Sequence, residues 1–402
     1  MNKAAFAKYA SVGILMFGIA CSTVLPEVGS AGFYVLAVLS GIVFFRPMIH
    51  SVPRSPAVAL PLAALAILAV ALVLAPGGFS NLIALAFFAP MLLVGPLATT
   101  LRIDGQTTIE RIAIAAFVAC VLAAGVGMYD GFILGGHRAG YTVNNPIHFG
   151  AVSLIAGFVA LVGLYSPNKL IRGLALTAPL FAVGAVALSG SRGPLAAVPS
   201  MAAMALAVLL FQKTSRRHAL TVSVAAAVVG VAFLAWLWNS PYVLELPGIG
   251  DIAAYLRDGF VVDSSIAQRL EMYAGGLNAW TNSPLFGQGA DFIARTAELS
   301  ADPATFPRYD HLHSDFIDFV AIGGSLGLIA YVLFIAAMPV GAIVARGRNA
   351  HAVQMLAYPA AVGYVVLGAT NANIGVIAQT ILLATLCALV TYLGEPAVGK
   401  QQ

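Results

Sequence analysis

The chain has 402 residues, of which 60% are hydrophobic and only 9% are charged. A soluble domain of ordinary composition carries about 25% charged residues, so this composition excludes a soluble enzyme and indicates a membrane protein with many spans. The formal net charge of +4 is spread over short connections, which argues against a nucleic-acid-binding surface. Cys21, Cys120 and Cys387 each lie in an apolar stretch, so we expect no disulfide framework.

Apolar stretches long enough to span the hydrocarbon core follow one another along most of the chain. They predict about 12 transmembrane helices, because backbone polar groups in lipid must be paired within their own segment. The predicted spans are residues 8–26, 30–45, 57–75, 81–98, 112–134, 146–165, 170–190, 194–212, 219–238, 316–345, 351–370 and 373–393. Lys3 and Lys8 precede the first stretch, which we interpret as a retained helix rather than a cleaved signal peptide.

The distribution of charge predicts the orientation of the spans. Most arginines and lysines lie in the connections on one side, and most carboxylates lie on the other. The basic side is cytoplasmic under the positive-inside rule, which places both termini in the cytoplasm.

One outer connection is far longer than the others and divides the chain into three parts. Residues 1–238 hold helices 1 to 9, residues 239–315 form the outer loop, and residues 316–402 hold helices 10 to 12 and a short tail. Within the loop, Ser265–Gln268 is typical of a capping box. The apolar residues that follow recur at helical spacing: Ile266, Leu270, Tyr273, Leu277 and Trp280. We therefore predict an amphipathic helix that lies on the membrane or against the bundle.

Charged residues are confined to loops and helix ends, so we expect none at mid-membrane. Proton-coupled carriers and ion channels keep such residues in their pathways, which argues against transport. The sequence also lacks a Walker loop and a dinucleotide fingerprint, so we expect neither a nucleotide substrate nor a cofactor.

Three outer arginines are candidates for binding an anion. Arg192 lies in SGSRGPLAA, a break between two apolar stretches, and Pro194 is typical of the first position of a helix. A helix N-terminus with an arginine binds phosphate, although the local sequence alone favours an arginine that merely reaches lipid headgroups. Arg269 lies in the amphipathic helix, and its spacing there favours an arginine that simply faces water. Arg138 lies in GGHRAGYTVNNPIHFG, whose glycines either admit a ligand or only form turns.

Two histidines and a carboxylate, His311, His313 and Asp315, precede the tenth apolar stretch in RYDHLHSDF. A His-x-His pair with a carboxylate can bind zinc, but further ligands at a recognisable spacing are missing, so we predict no metal site. A general base is the functional interpretation, since histidine titrates near neutral pH and a carboxylate can orient it. Interfacial histidines bonded to loop carbonyls are the commoner alternative.

In this order, the motifs resemble the O-antigen ligase and polymerase superfamily of bacterial envelope glycosyltransferases. The resemblance is strongest over residues 185–340 and lies in SGSRGPLAA, QRLEMYAGGLNAWTNSPLFGQG and HLHSDFIDFVAIGGSLGLIAYVLFI. Ser314 replaces the asparagine that usually follows the histidine in that superfamily, which leaves the partner of the histidine undefined. The resemblance implies metal-independent, inverting transfer of a glycan from undecaprenyl diphosphate, on the periplasmic face of the bacterial inner membrane.

The resemblance also implies roles for individual residues. Arg192 and Arg269 would stabilise the leaving diphosphate, and His313 would take the proton of the attacking hydroxyl. Further contacts to the substrates would come from Arg138, His311, Asp315 and Asn145. The implied partners are the undecaprenyl-diphosphate-linked glycan, a lipid A-core acceptor and membrane lipids.

The modest length and the single large loop favour the ligase among the activities of this superfamily. The alternatives are an O-antigen or exopolysaccharide polymerase and a protein O-oligosaccharyltransferase. A lipid or polysaccharide exporter that binds headgroups with the same arginines is the non-enzymatic alternative.

Overall fold

The computed structural model describes residues 3–36, 55–135, 138–143, 145–213, 264–303, 306 and 309–395. These residues are helical and contain no strand, which confirms the predicted all-α membrane architecture. Nine helices within the described ranges are long and apolar enough to cross a membrane. The predicted span 219–238 and the first part of the long loop, residues 239–263, lie outside the described residues.

The first part of the chain forms α1 to α7. α1 spans Lys3–Cys21, residues 26–36 are helical and overlap the first part of the predicted second span, and α2 spans Pro56–Leu74. A 3₁₀ helix over Gly78–Leu93 continues into α3, Val94–Asp104, and α4, Ile109–Met128, ends in a π-helical turn, Tyr129–Ile133. α5 spans Pro146–Val159 and continues as a 3₁₀ helix, Ala160–Tyr165; α6 spans Lys169–Ser189 and α7 spans Arg192–Lys213.

The second part forms α8 to α12. α8 spans Ser264–Asn282, and a 3₁₀ turn, Gly289–Asp291, leads into the short α9, Phe292–Glu298. α10 spans Asp315–Val344, α11 spans Ala350–Thr370 and α12 spans Ile377–Gly394. Cys21, Cys120 and Cys387 are free and buried.

The predicted break between the seventh and eighth spans is confirmed. α6 ends at Gly190, whose φ of 61° is in the left-handed region that glycine adopts without steric cost. α7 begins two residues later at Arg192, so Pro194 lies in its first turn rather than at its first position. The break therefore places Arg192 at a helix N-terminus, as expected.

α8 confirms the predicted amphipathic helix and packs against α10, but it buries a different face from the one predicted. Leu277 is 39% exposed, whereas Met272 and Ala279 are fully buried. A Cβ on Gly276 would overlap the side chain of Ile317, so the missing side chain lets α8 approach the start of α10 closely. The apolar spacing counts large side chains, and it overlooked a face whose packing depends on small ones.

α10 is broken at Gly324, which has a φ of 60°. The amides of Ser325 and Leu326 after the break donate to the carbonyls of Pro284 (2.8 Å) and Leu285 (3.2 Å). The turn that follows α8 thus supplies partners for backbone groups that the broken helix leaves open. The part of α10 after the break, residues 325–344, is about 30 Å long and is sufficient to cross a membrane.

α7 and α11 lie side by side and antiparallel. A Cβ on Gly193, at the start of α7, would overlap Oγ1 of Thr370, at the end of α11. Near the other end, Nε2 of Gln212 donates to the carbonyl of His351 at 3.1 Å. The pair therefore defines two ends of the bundle, which we call the Thr370 end and the Gln212 end.

Candidate active site

The turn between α11 and α12 lies at the centre of the candidate site, and a buried carboxylate holds it. Asp315, the first residue of α10, is fully buried, and its Oδ1 accepts hydrogen bonds from the amides of Asn373 (2.7 Å) and Ile374 (3.1 Å). A Cβ on Gly368 would overlap the other carboxylate oxygen, so α11 has a glycine where the carboxylate lies. Asp315 therefore ties the segment that carries the histidines to the turn after α11.

His313 has a strained backbone. Its φ of 55° is the only positive value at a non-glycine position among the described residues. Such a conformation costs about 1–3 kcal/mol and persists where surrounding contacts impose it. Here the amide of Leu312 donates to Oδ1 of Asp318 at 2.7 Å, and the hydroxyl of Tyr273 donates to the carbonyl of His313 at 3.0 Å. Strain of this kind is concentrated at functional sites.

The His313 side chain is half-buried, and its Nδ1 lies 2.7 Å from Oδ1 of Asn371. The pKa of His313 is lowered to about 4, chiefly by burial and also by the charges of His311 and Arg269, while the hydrogen bond with Asn371 and the charge of Asp310 act in the opposite direction. The imidazole is therefore neutral near pH 7, which is the state that accepts a proton. Asn371 takes the place of the partner that the sequence left undefined.

Arg192 and Arg269 approach the same residue, Thr370. Nη1 of Arg269 donates to the Thr370 carbonyl at 3.3 Å. Arg192 is exposed and directly precedes Gly193, which lies against the Thr370 side chain. The side chain of Arg269 and the start of α7, which carries Arg192, thus both lie against Thr370, the residue that precedes Asn371.

Arg138 is docked onto the break that precedes Arg192. Its Nε donates to the carbonyl of Ser189 at 2.8 Å, and its Nη2 donates to Oγ of Ser191 at 3.0 Å. The segment that carries Arg138 is held by the buried carboxylate of Asp130, which accepts from the Gly140 amide at 2.8 Å. Within the described ranges, neither Arg138 nor Arg269 takes part in an ion pair, so both charges are available to an anion.

His311 lies beside His313, with 4.5 Å between the ring centroids. Its Nδ1 lies 2.5 Å from Oδ1 of Asp310, and its Nε2 is buried without a hydrogen-bond partner in the described part of the chain. Burial raises the pKa of Asp310, but the hydrogen bond and the charge of His311 outweigh it and hold that pKa below its usual value. Asp310 is therefore a carboxylate that orients His311.

Two residues predicted to contact the substrates, Asn145 and Asp315, form hydrogen bonds with the main chain. Oδ1 of Asn145 accepts from the amide of Ile147 at 2.9 Å and caps α5. The Asp315 carboxylate is enclosed, as described above. Substrate contact by either residue stays a prediction.

The sequence offered no sign of two other polar residues at this site, His148 and Asn371. His148 lies in the first turn of α5, its ring centroid is 6.4 Å from that of His311, and its Nδ1 is 2.7 Å from Nε2 of Gln379. Each is a single polar residue at the edge of an apolar stretch, and only the packing of α5, α11 and α12 brings them to the histidines. In the described ranges, no three His, Cys, Asp or Glu side chains are arranged to hold a metal ion.

Comparison with known proteins supports the resemblance. The sequence profile of the O-antigen ligase family matches residues 177–332, which include Arg192, Arg269 and His313. Arg138, His148 and Asn371 lie outside the matched interval. No curated protein sequence matches the chain. The predicted resemblance to the O-antigen ligase superfamily is thereby confirmed over residues 177–332 of this multi-pass membrane protein.

Proposed function

We propose that the protein is an O-antigen ligase. It transfers a polysaccharide from undecaprenyl diphosphate to a sugar hydroxyl of the lipid A core, on the periplasmic face of the bacterial inner membrane. The family match supports a ligase-type enzyme that acts on lipid-linked glycans. The observation that carries the proposal is that Thr370 lies against both the side chain of Arg269 and the start of α7, which carries Arg192, while the next residue, Asn371, contacts the neutral His313.

The arginines account for departure of the leaving group. When the bond between the anomeric carbon and the diphosphate oxygen breaks, its electron pair stays on the diphosphate, which becomes more negative. Arg192 and Arg269 place positive charge where this negative charge grows. Because the diphosphate is a stable anion, the reaction needs no acid to protonate it.

His313 accounts for activation of the acceptor. The acceptor hydroxyl forms the new bond to the anomeric carbon on the face opposite the diphosphate and loses its proton to the imidazole. Attack from that face inverts the anomeric configuration. Nδ1 is engaged with Asn371, so Nε2 is the nitrogen that takes the proton.

Arg138 has a supporting role in this scheme. It holds the Ser189–Ser191 break through the contacts given above, and its charge adds to that of Arg192. A diphosphate carries more negative charge than one arginine balances, so a third cation at the edge of the site favours binding of the donor.

Deletion of the gene in its host tests the proposal. Lipopolysaccharide is then analysed on gels, and undecaprenyl-linked glycans are extracted and sized. Bare core together with long polymers retained on undecaprenyl diphosphate supports a ligase. Core capped by a single repeat, without long lipid-linked chains, identifies a polymerase. An unchanged lipopolysaccharide profile directs the search to glycoproteins or to a secreted polysaccharide and overturns the ligase.

Purified protein separates the enzyme from an exporter. The protein is placed in liposomes that contain lipid-linked donor and core acceptor, with no ion gradient and no nucleotide. Formation of the glycan–core product under these conditions supports the enzyme. Movement of the donor between leaflets without product supports the exporter.

A further inference from the structure

The orientation of the Asn371 side chain determines which nitrogen of His313 carries a proton. Asn371 is 3% exposed, and its Nδ2 donates to the carbonyl of Ala372 at 3.3 Å. This contact requires the amide nitrogen, so the oxygen Oδ1 is the atom that faces His313, 2.7 Å from Nδ1. An amide oxygen only accepts hydrogen bonds. Nδ1 of His313 is therefore the protonated nitrogen, and Nε2 has a free lone pair.

We propose that Asn371 is a positioning residue, which holds His313 in the Nδ1-protonated tautomer so that Nε2 takes the proton of the acceptor hydroxyl. This inference rests on the proposed function, in which His313 is the base. In the step itself, the hydroxyl O–H bond breaks, its proton moves to Nε2, and its electron pair forms the bond to the anomeric carbon. The hydrogen bond from Nδ1 to Asn371 is the same before and after the proton arrives.

The surrounding contacts keep Asn371 in place. The main-chain amide of Asn371 donates to the carbonyl of Leu367 at 3.0 Å, and its main-chain carbonyl accepts from Nδ2 of Asn373 at 3.0 Å. Asp315 accepts from the main-chain amides of Asn373 and Ile374 in the same turn. The Asn371 side chain is therefore held in place, and the backbone of His313 is held in a strained conformation. Both constraints fix the orientation of the His313 imidazole ring.

The titratable groups around His313 come from three parts of the chain. They are His148 on α5, Arg269 and Tyr273 on α8, and Tyr309, Asp310 and His311 on the segment that carries His313 itself. A substitution at Asn371 removes none of them, but Nδ2 of Asn371 also lies 3.5 Å from Nδ1 of His148, so the variant changes that contact too. A change in pH dependence that persists when the substitution is combined with His148→Phe therefore reports on the contact between residue 371 and His313.

The test uses the full-length protein in liposomes with lipid-linked donor and core acceptor, and two variants, Asn371→Ala and Asn371→Asp. Asn371→Ala removes the acceptor and frees both tautomers, so we expect kcat to fall roughly 10–100-fold while KM for the donor stays within about threefold of the wild type. Asn371→Asp keeps an acceptor for Nδ1, so we expect it to recover most of the lost kcat at pH 8.

The proposal also predicts that kcat of Asn371→Asp depends on pH differently from kcat of the wild type. A carboxylate beside the ring favours the imidazolium, so the pKa of His313 rises and the base is lost at a higher pH than in the wild type. We expect wild-type kcat to be nearly constant between pH 5 and pH 8, and kcat of Asn371→Asp to fall as the pH is lowered through that range. Asn81→Ala is the matched control, since it removes another buried side-chain amide, whose hydrogen bonds are with the backbone of Leu72, Pro76 and Ala290 and not with His313 or Asn371.

Each outcome decides the proposal. Wild-type kcat in Asn371→Ala, or the same loss of kcat without a shifted profile in both Asn371→Asp and Asn81→Ala, overturns the positioning role. If Asn371→Asp fails to insert, the division between kcat and KM in Asn371→Ala decides alone, since general damage to the turn also raises KM. Absence of transfer by the wild type refutes the proposed function and, with it, this inference.

Discussion

The two ends of the α7–α11 pair differ in how completely their polar side chains are hydrogen-bonded. At the Gln212 end, the hydroxyl of Tyr165 bonds to Oε1 of Gln212, whose Nε2 donates to Oε1 of Gln354 at 3.0 Å. Tyr165 also stacks on His351, with 6.5 Å between ring centroids. These side chains satisfy one another and close this end of the bundle.

At the Thr370 end, arginines are bonded to carbonyl oxygens, and several buried polar atoms lack a partner within the described part of the chain. These atoms are Nε2 of His311, Oδ2 of Asp315, Oδ1 of Asn373 and Oε1 of Gln379. An unsatisfied buried polar atom costs about 1–3 kcal/mol, so a folded chain keeps few of them without a functional reason. The α7–α11 pair thus has one end where polar side chains satisfy one another and one end, at the proposed site, where several do not.

The largest expected difference is between His313→Ala at the Thr370 end and His351→Ala at the Gln212 end. His313→Ala removes the base, and we expect transfer to the core acceptor to fall about 10²–10⁴-fold, the usual contribution of general base catalysis. His351→Ala removes the ring that stacks on Tyr165 and should leave transfer within about twofold of the wild type. Both variants are assayed in liposomes after insertion and thermal stability have been checked. Equal losses in the two variants would contradict the division between the ends.

The arginines give the next largest effect. Arg192→Ala and Arg269→Ala each remove one charge that stabilises the diphosphate, and we expect transfer to fall about 10²–10³-fold. Arg295→Ala is the matched control, because Arg295 is exposed on α9 and pairs with Glu298 at 2.9 Å. The rates are compared at equal protein and at saturating donor. An Arg295→Ala rate as low as that of Arg269→Ala would mean that general positive charge, and not the site, determines the rate.

The sequence indicated the local setting of Arg192 and His313 better than it indicated the residues around them, and the roles of both stay predictions. Arg192 and His313 lie in local patterns, a helix break and a polar segment before an apolar stretch, and both patterns can be read without tertiary structure. Asn371 is a single residue 58 positions after His313, and only the packing of α10 against α11 joins them. The buried face of α8 was not predicted for a related reason. It is formed by Gly276 and other small residues, which the spacing of large apolar residues does not take into account.

A smaller effect is expected from closing the gap between α7 and α11. Gly193→Leu places a side chain where Thr370 lies, so it moves the start of α7, which carries Arg192, away from Thr370 without removing a charge. We expect transfer to fall about tenfold, because small displacements of a positioned group weaken catalysis. Gly173→Leu is the control, since a Cβ on Gly173 meets no atom within 4 Å. Normal transfer by Gly193→Leu would indicate that Arg192 acts independently of the Thr370 end.

The smallest effect is expected at the far end of α12. Arg102 pairs with Glu395 there, with side chains that are 32% and 24% exposed. A partly exposed ion pair contributes about 1 kcal/mol or less, so Arg102→Ala should lower the thermal midpoint by only a few degrees and leave transfer unchanged. Thermal unfolding in detergent and transfer in liposomes measure the two quantities separately. Because α12 runs from the site to this ion pair, a loss of transfer without a loss of stability would show that the two ends are coupled through that helix, and the Gln212 end would then take part in function as well as in folding.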